Sequence, residues 1–467
     1  YQEVLEAIEN GTLKESDLDV CIERILNIVV KCPRFNDYKY SDKPDLAAHA
    51  TVARRAAAEG IVLLENNGVL PLKTGIKNVG LFGISSYDFT SGGTGSGSVN
   101  KAYVINLLDG FKADGYKVNE ALTDFYTAKV KLAIENHGAD INLGRIALKE
   151  VSIDQKLVEQ SAESDDLAII TIGRSNGEGL DRHAFDDYKL TRVETAMIQS
   201  VSKAFHAKGK KVVAVLNISG ATELEPLKGL VDAVVCCWLP GQEGGYAVMD
   251  VLSGRENPSG KLTMTIPVDY FDTNTYDNFP YDYSGPSAMG MYPFTPGPER
   301  KNVHYINYEE GIYVGYRYYD TKNVKVSYPF GYGKSYTTFE YSKPVVKATK
   351  DGFTASITVT NTGAVAGKEV VQVYVTAPSG GLDKPAKELK SFAKTELLQP
   401  GKSQTLTFNV DAYSLASFNE AESQWETAAG EYTVKFAANI EDVRCIGTFT
   451  NSKAQNWKVN NVLKRVK

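Results

Sequence analysis

The chain has 467 residues, 43% hydrophobic and 23% charged, with a net charge of −6. That length exceeds one ordinary core and points to two to four domains of roughly 100–200 residues each. Acid and base are well mixed, which leaves no basic field for nucleic acid, and no stretch approaches the roughly 20 apolar residues of a membrane span.

Tyr1 is not a start methionine, and the first residues read as the middle of a fold, so the chain is expected to begin after a cut. Residues 13–30 read as an amphipathic helix. Ser16 with Asp19 resembles a capping box, Leu18, Ile22, Ile25, Leu26 and Val29 fall at helical spacing, and Lys31 and Pro33 mark the stop. Little before this stripe could cover it.

Residues 50–270 alternate short apolar runs with helical stretches such as Thr191–His206. Val79–Gly83, Leu167–Ile172, Val212–Asn217 and Ala233–Trp238 are apolar without polar alternation, as in strands of a mainly parallel sheet buried on both faces. This is α/β organisation, whose ligand sites lie beyond the carboxyl ends of the strands. Cys236 and Cys237 sit in such a run and read as buried thiols. Together with Cys21, Cys32 and Cys445 they form no metal-binding pattern.

Fifteen of the 27 tyrosines lie between Tyr270 and Tyr341, among many Pro and Gly residues. They read either as an ordered linker packing rings on its neighbours or as rings that stack on sugar faces. Residues 341–450 then alternate with period two. About seven short strands over roughly 100 residues indicate an immunoglobulin-like or fibronectin-type sandwich. Residues 454–467, polar and basic, read as a surface extension.

Two loops could carry chemistry. The loop after the first strand reads SGGTGSGSVN, Ser91–Asn100. Its glycines allow close backbone approach to a ligand, and Ser96 is its central hydrogen-bonding side chain; a bare tight turn is the alternative. The GxGxxG spacing is not matched and no lysine stands where a phosphate loop needs one, which disfavours a nucleotide site. The loop after Leu167–Ile172 reads GRSNGEGLDRHAF, with Glu178 between Gly177 and Gly179. A partly desolvated glutamate there suits the general acid of glycoside cleavage, while an exposed surface turn suits the sequence equally well. Arg182 could orient a carboxylate, though a solvated salt bridge with Asp181 is the commoner outcome, and His183 is an alternative acid/base group, though a lone surface histidine is the commoner reading.

Several segments, in order, resemble glycoside hydrolase family 3. GTLKESDLDVCIERILNIVVKCPRF resembles the segment that closes the family's (β/α)8-type barrel, and HATVARRAAAEGIVLLENNGVLPL the entry to its second domain. SGGTGSGSV and GRSNGEGLDR resemble two active-site loops, and WLPGQEGGYAVMDVLSGRENPSGKLTMTIP the strongest second-domain signature. YEEGIYVGYRYYD and YPFGYGKSYTTFEYS resemble the lead into a fibronectin type III-like domain.

The resemblance implies five stretches: a barrel tail and linker over 1–45, an α/β sandwich over 46–270, a tyrosine-rich linker over 271–340, a fibronectin type III-like domain over 341–450 and an extension over 451–467. It implies a retaining β-glucosidase that needs no cofactor and no metal and acts on a small carbohydrate. Glu178 would be the acid/base, and Ser96 would reach the sugar. The family's nucleophilic aspartate has no match here, so a barrel-bearing polypeptide is the expected partner; self-association stays open. A β-xyloside-specific member, or a carbohydrate-binding or scaffolding protein without catalysis, are the competing readings.

Overall fold

The structure, a computed structural model, describes residues 2–136, 147–175, 184–276, 285–286, 293–294 and 308–460. Residues 1–49 and 50–467 are two compact units.

The first unit holds α1 (Gln2–Glu9) and α2 (Glu15–Val29), with no buried residue in either. The sequence placed the start of α2 at Ser16 with Asp19. In the structure Ser16 lies inside the helix, and the carboxylate of Asp17 accepts from Lys14 N–H at 3.4 Å. The acidic side chain that can reach back three residues is therefore Asp17, not Asp19. The expected stripe is present and open to solvent, with Ile22 at 51%, Ile25 at 60% and Leu26 at 53% exposure.

Helix α3 (Leu46–Gly60) spans the boundary, and the second unit then builds a six-stranded sheet. Its strands are β1 (Val62–Asn66), β2 (Asn78–Phe82), β3 (Lys117–Val118), β4 (Leu167–Arg174), β5 (Lys211–Ile218) and β6 (Ala233–Cys236). Their order is β1-β6-β5-β4-β2-β3. All neighbours are parallel except β1, which pairs antiparallel with β6. The interior strands are buried along nearly their whole length, as Val/Ile/Leu runs without alternation require. Burial also pushes the Cys236 thiol up to about 12, so it is an inert packing group.

Helices α4 (Leu107–Ala113), α5 (Glu120–Asn136), α6 (Gln155–Ser164), α7 (Arg192–Ala207) and α8 (Gly244–Leu252) cover the sheet. Thr191 caps α7 by accepting from Glu194 N–H at 3.1 Å. α4 and α8 touch almost backbone to backbone: a Cβ on Gly245 would come within 2.0 Å of Asn106 O. The sequence did not reveal β1 or β3, and it ran the β6 strand to Trp238. There the chain turns out of the sheet at φ +54°.

The C-terminal sandwich sets Gly352–Asn361, with its neighbours Phe339–Tyr341, Val345–Thr349 and Ser403–Asp411, against a sheet of Glu388–Lys394, Val370–Thr376, Gly430–Ala437 and Val443–Asn451. Its core is one apolar cluster, including the stacked rings of Phe353 and Phe449 at 4.7 Å. Gln455–Lys458, expected as part of a surface extension, is a strand paired with Gln424–Thr427.

Some of the described tyrosines before the sandwich pack on its neighbours, whereas Tyr276 and Tyr308 are exposed. Tyr336 donates to Val251 O at 2.9 Å, and the ring of Tyr316 stacks on Phe330 at 4.6 Å. Gln372, 3% exposed, ties this lead-in to the sandwich. It donates to Gly331 O at 3.0 Å and Ala438 O at 2.8 Å, and accepts from the Tyr374 hydroxyl at 2.7 Å. Gln372→Ala strands all three buried partners. It is expected to cost about 2–4 kcal/mol in urea unfolding; a loss below about 0.5 kcal/mol would remove Gln372 from this role.

Candidate active-site edge

Strand order reverses between β2 and β4, since the chain runs from β2 outward to β3 and from β4 the other way to β5. In open parallel sheets the crevice at such a switch point, beyond the carboxyl ends, is where ligands bind. The two loops singled out in the sequence leave these two strands at this edge. Ser96 follows β2 on a short 3-10 turn, Gly95–Gly97, and is exposed. The chain leaves β4 through Arg174 and Ser175; Glu178, Arg182 and His183 lie outside the described residues.

The root of the first loop is packed without slack. Gly83 turns at φ +89°, and a Cβ there would meet Thr171 O at 2.2 Å. Only glycine fits such a conformation at that distance. The next turn, Ile84–Ser86, is buried and bound to β4 by a Ser86–Thr171 hydroxyl pair at 2.6 Å.

Asn217, at the end of β5 and fully buried, holds the middle of the same loop. Its amide oxygen accepts from Thr90 N–H at 2.7 Å, and its amide nitrogen donates to Thr90 O at 2.9 Å and Trp238 O at 2.7 Å. The side chain thus pairs with Thr90 as a strand neighbour would and joins the loops after β2 and β6. Farther on, Gly241 N–H donates to Ser91 O at 2.9 Å, and the Tyr103 hydroxyl donates to the buried carboxylate of Glu243.

The second loop is pinned where it leaves and where it returns. Arg174 makes a two-pronged ion pair with Glu194 at 2.5 and 2.8 Å, and its Nε donates to Asp187 O at 2.6 Å. Both side chains are over 90% covered, and Glu194 also accepts from Thr191 N–H at 2.7 Å. Tyr188 donates from its hydroxyl to Pro267 O at 2.9 Å, while its carbonyl accepts from Thr222 and Glu223 at 2.7 Å each.

Between these anchors Asp186 adopts φ +57°, and the ring of Phe185 is 67% exposed. Phe185, Phe271 and Tyr276 form a run of exposed rings at 6.3 and 5.5 Å, with the Lys189 ammonium over the first two. A polar residue ending an apolar strand is the signal that could have marked Asn217 and Arg174. Phe185 had none. Among the described residues, no cluster of His, Cys, Asp and Glu could hold a metal.

The chain matches the family described as glycosyl hydrolase family 3 C-terminal domain over residues 61–316, and a fibronectin type III-like domain over 369–439. Its fold follows beta-glucosidase 3B from Thermotoga neapolitana, solved in complex with glucose, at 41% identity and a TM-score of 0.86, covering 98% of this chain and 62% of that one. Curated relatives include beta-glucosidase A from Butyrivibrio fibrisolvens, 34% identical over 89% of this chain and 52% of its own length. A beta-glucosidase from Ruminococcus albus is 36% identical over 87% of this chain and 41% of its own length. The chain therefore spans about half the length of these curated relatives.

Asn217→Ala leaves Thr90 and Trp238 backbone groups without their buried partner. It is expected to cost about 2–4 kcal/mol and to speed amide exchange of residues 90–97. Unchanged exchange there would show that Asn217 does not hold the loop.

Proposed function

Since this chain belongs to glycosyl hydrolase family 3, we propose that it supplies one side of the active site of a retaining β-glucosidase that releases glucose from the non-reducing end of β-glucosides. The observation that carries this reading is the pair of loops at the switch point, one bearing Ser96 and the other leaving β4 toward Glu178. The beta-glucosidase activity of the similar proteins, and the glucose bound to the one from Thermotoga neapolitana, support the same substrate class.

Glu178 is the acid/base. As an acid it protonates the glycosidic oxygen as the bond breaks. As a base it then takes a proton from the water that releases the sugar. Ser96 donates to or accepts from a hydroxyl of the glucose ring. Retention needs a second carboxylate about 5–5.5 Å from the first, on the other face of the sugar, to form the covalent intermediate. We assign that nucleophile to a barrel domain outside these 467 residues. The open stripe of Ile22, Ile25 and Leu26 supports such a partner surface, because an apolar helix face of this kind gains by being covered.

Two experiments test the assignment. With the barrel polypeptide present, Glu178→Gln should slow glycosides with poor leaving groups by on the order of 10²–10⁴-fold. A good aryl leaving group should lose less, and azide should restore part of the turnover. Equal losses across leaving groups without azide rescue would remove Glu178 from this role. In the second, the 467-residue chain alone is assayed on an aryl β-glucoside and should show no turnover. Robust hydrolysis would place the nucleophile inside this chain.

A further inference from the structure

Residues 147–151 cross beneath the roots of both loops. At one end Ala147 N–H donates to Ser175 Oγ at 2.7 Å, where the chain leaves β4. At the other, the Glu150 carboxylate accepts from Ile84 N–H at 2.9 Å, the first residue of the turn that leads to Ser96; its second oxygen accepts from Val151 N–H at 2.9 Å. Ile84 and Glu150 are 66 residues apart, so this contact belongs to the tertiary fold and not to a local turn.

We propose that Glu150 is a positioning residue whose carboxylate, held on a strap between Ile84 and Ser175, sets the spacing of the two active-site loops. The inference rests on the functional reading above, since it assigns catalysis to those loops. A half-buried carboxylate that accepts two backbone N–H groups fixes both of them. Neutral glutamine can accept through only one oxygen and brings two donors into a place built for acceptors.

The groups facing Glu150 come from three elements. Tyr126 on α5 and Glu194 on α7 bring a phenol and a like charge, and Arg174 on β4 brings the opposite one. Loss of hydration is the largest influence, and with Glu194 it outweighs the two N–H groups and Arg174, raising the carboxyl to about 7. The sign follows. The folded chain binds this proton more tightly than the unfolded chain, so the contribution of Glu150 to stability falls as pH rises from about 4.5 through 7.

Two measurements test the proposal. On the 467-residue chain alone, Tm is followed from pH 5 to pH 8 for wild type and Glu150→Gln. The wild type should lose more Tm over this range than the variant; parallel curves would overturn the placement of Glu150. With the barrel polypeptide present, Glu150→Gln should lower kcat/KM for an aryl β-glucoside by about tenfold or more. It should also erase a component of the wild-type profile with an apparent pKa near 7. Ser175→Ala, which releases the other end of the strap, should lower kcat/KM in the same direction. Wild-type kcat, KM and pH profile in folded Glu150→Gln would overturn the positioning role. Absence of turnover in the wild-type pair would instead sink the functional reading, while the stability curves still judge the carboxylate's placement.

Discussion

A sheet buried on both faces leaves its strand ends as the place where polar chemistry can meet a ligand. β4, β5 and β6 are covered along nearly their whole length, and side chains buried among Val, Ile and Leu cannot serve a polar substrate. Function is therefore pushed to the edge, and the reversal of strand order decides which part of the edge is open. Asn217, near the end of β5, joins the loops after β2 and β6, and the strand order reverses between β2 and β4. The proposed position of the site follows from topology before it follows from any one side chain.

That edge is held by polar groups used as fasteners. Asn217 and Arg174 each end an apolar strand, and each finds its partners in loop backbone or a capping residue. A buried ion pair such as Arg174–Glu194 is weak evidence for net stability, because desolvation offsets most of the attraction. What it does supply is geometry, since a two-pronged contact fixes the guanidinium plane and with it the carbonyl of Asp187. A loop root fixed in this way can carry a chain segment whose own residues are chosen for chemistry.

The sequence made the sheet legible because interior strands announce themselves by unbroken apolar runs. β1 was hidden for the same reason: IVLLEN continues directly from the alanine-rich α3, and no glycine or proline separates them apart from Gly60. The sequence reads Ser16 as a cap because Ser is a common one, but the N-cap of α2 is Lys14, and Asp17 three residues on accepts from its N–H. Ser96 could be marked as central to its loop, and it lies on the expected edge. The strap residue Glu150 could not be marked, since its contact with Ile84 spans 66 residues and leaves no local pattern. Long-range hydrogen bonds of this kind are where a single sequence is least informative.

The sandwich and its lead-in also have a place in this logic. β1 ends the sheet and would present a free row of backbone groups, the usual liability of an edge strand. Lys334 covers part of it, with its N–H donating to Leu63 O at 2.8 Å and its ammonium paired with Glu65 at 2.7 Å. Gly333 lies so close that a Cβ would meet Gly260 O at 2.3 Å. From there the chain runs directly into the sandwich, where Lys368 and Lys394 both reach back to Glu59 at the end of α3. The lead-in thus covers the edge of the sheet opposite β3, and the sandwich anchors the helix that precedes β1.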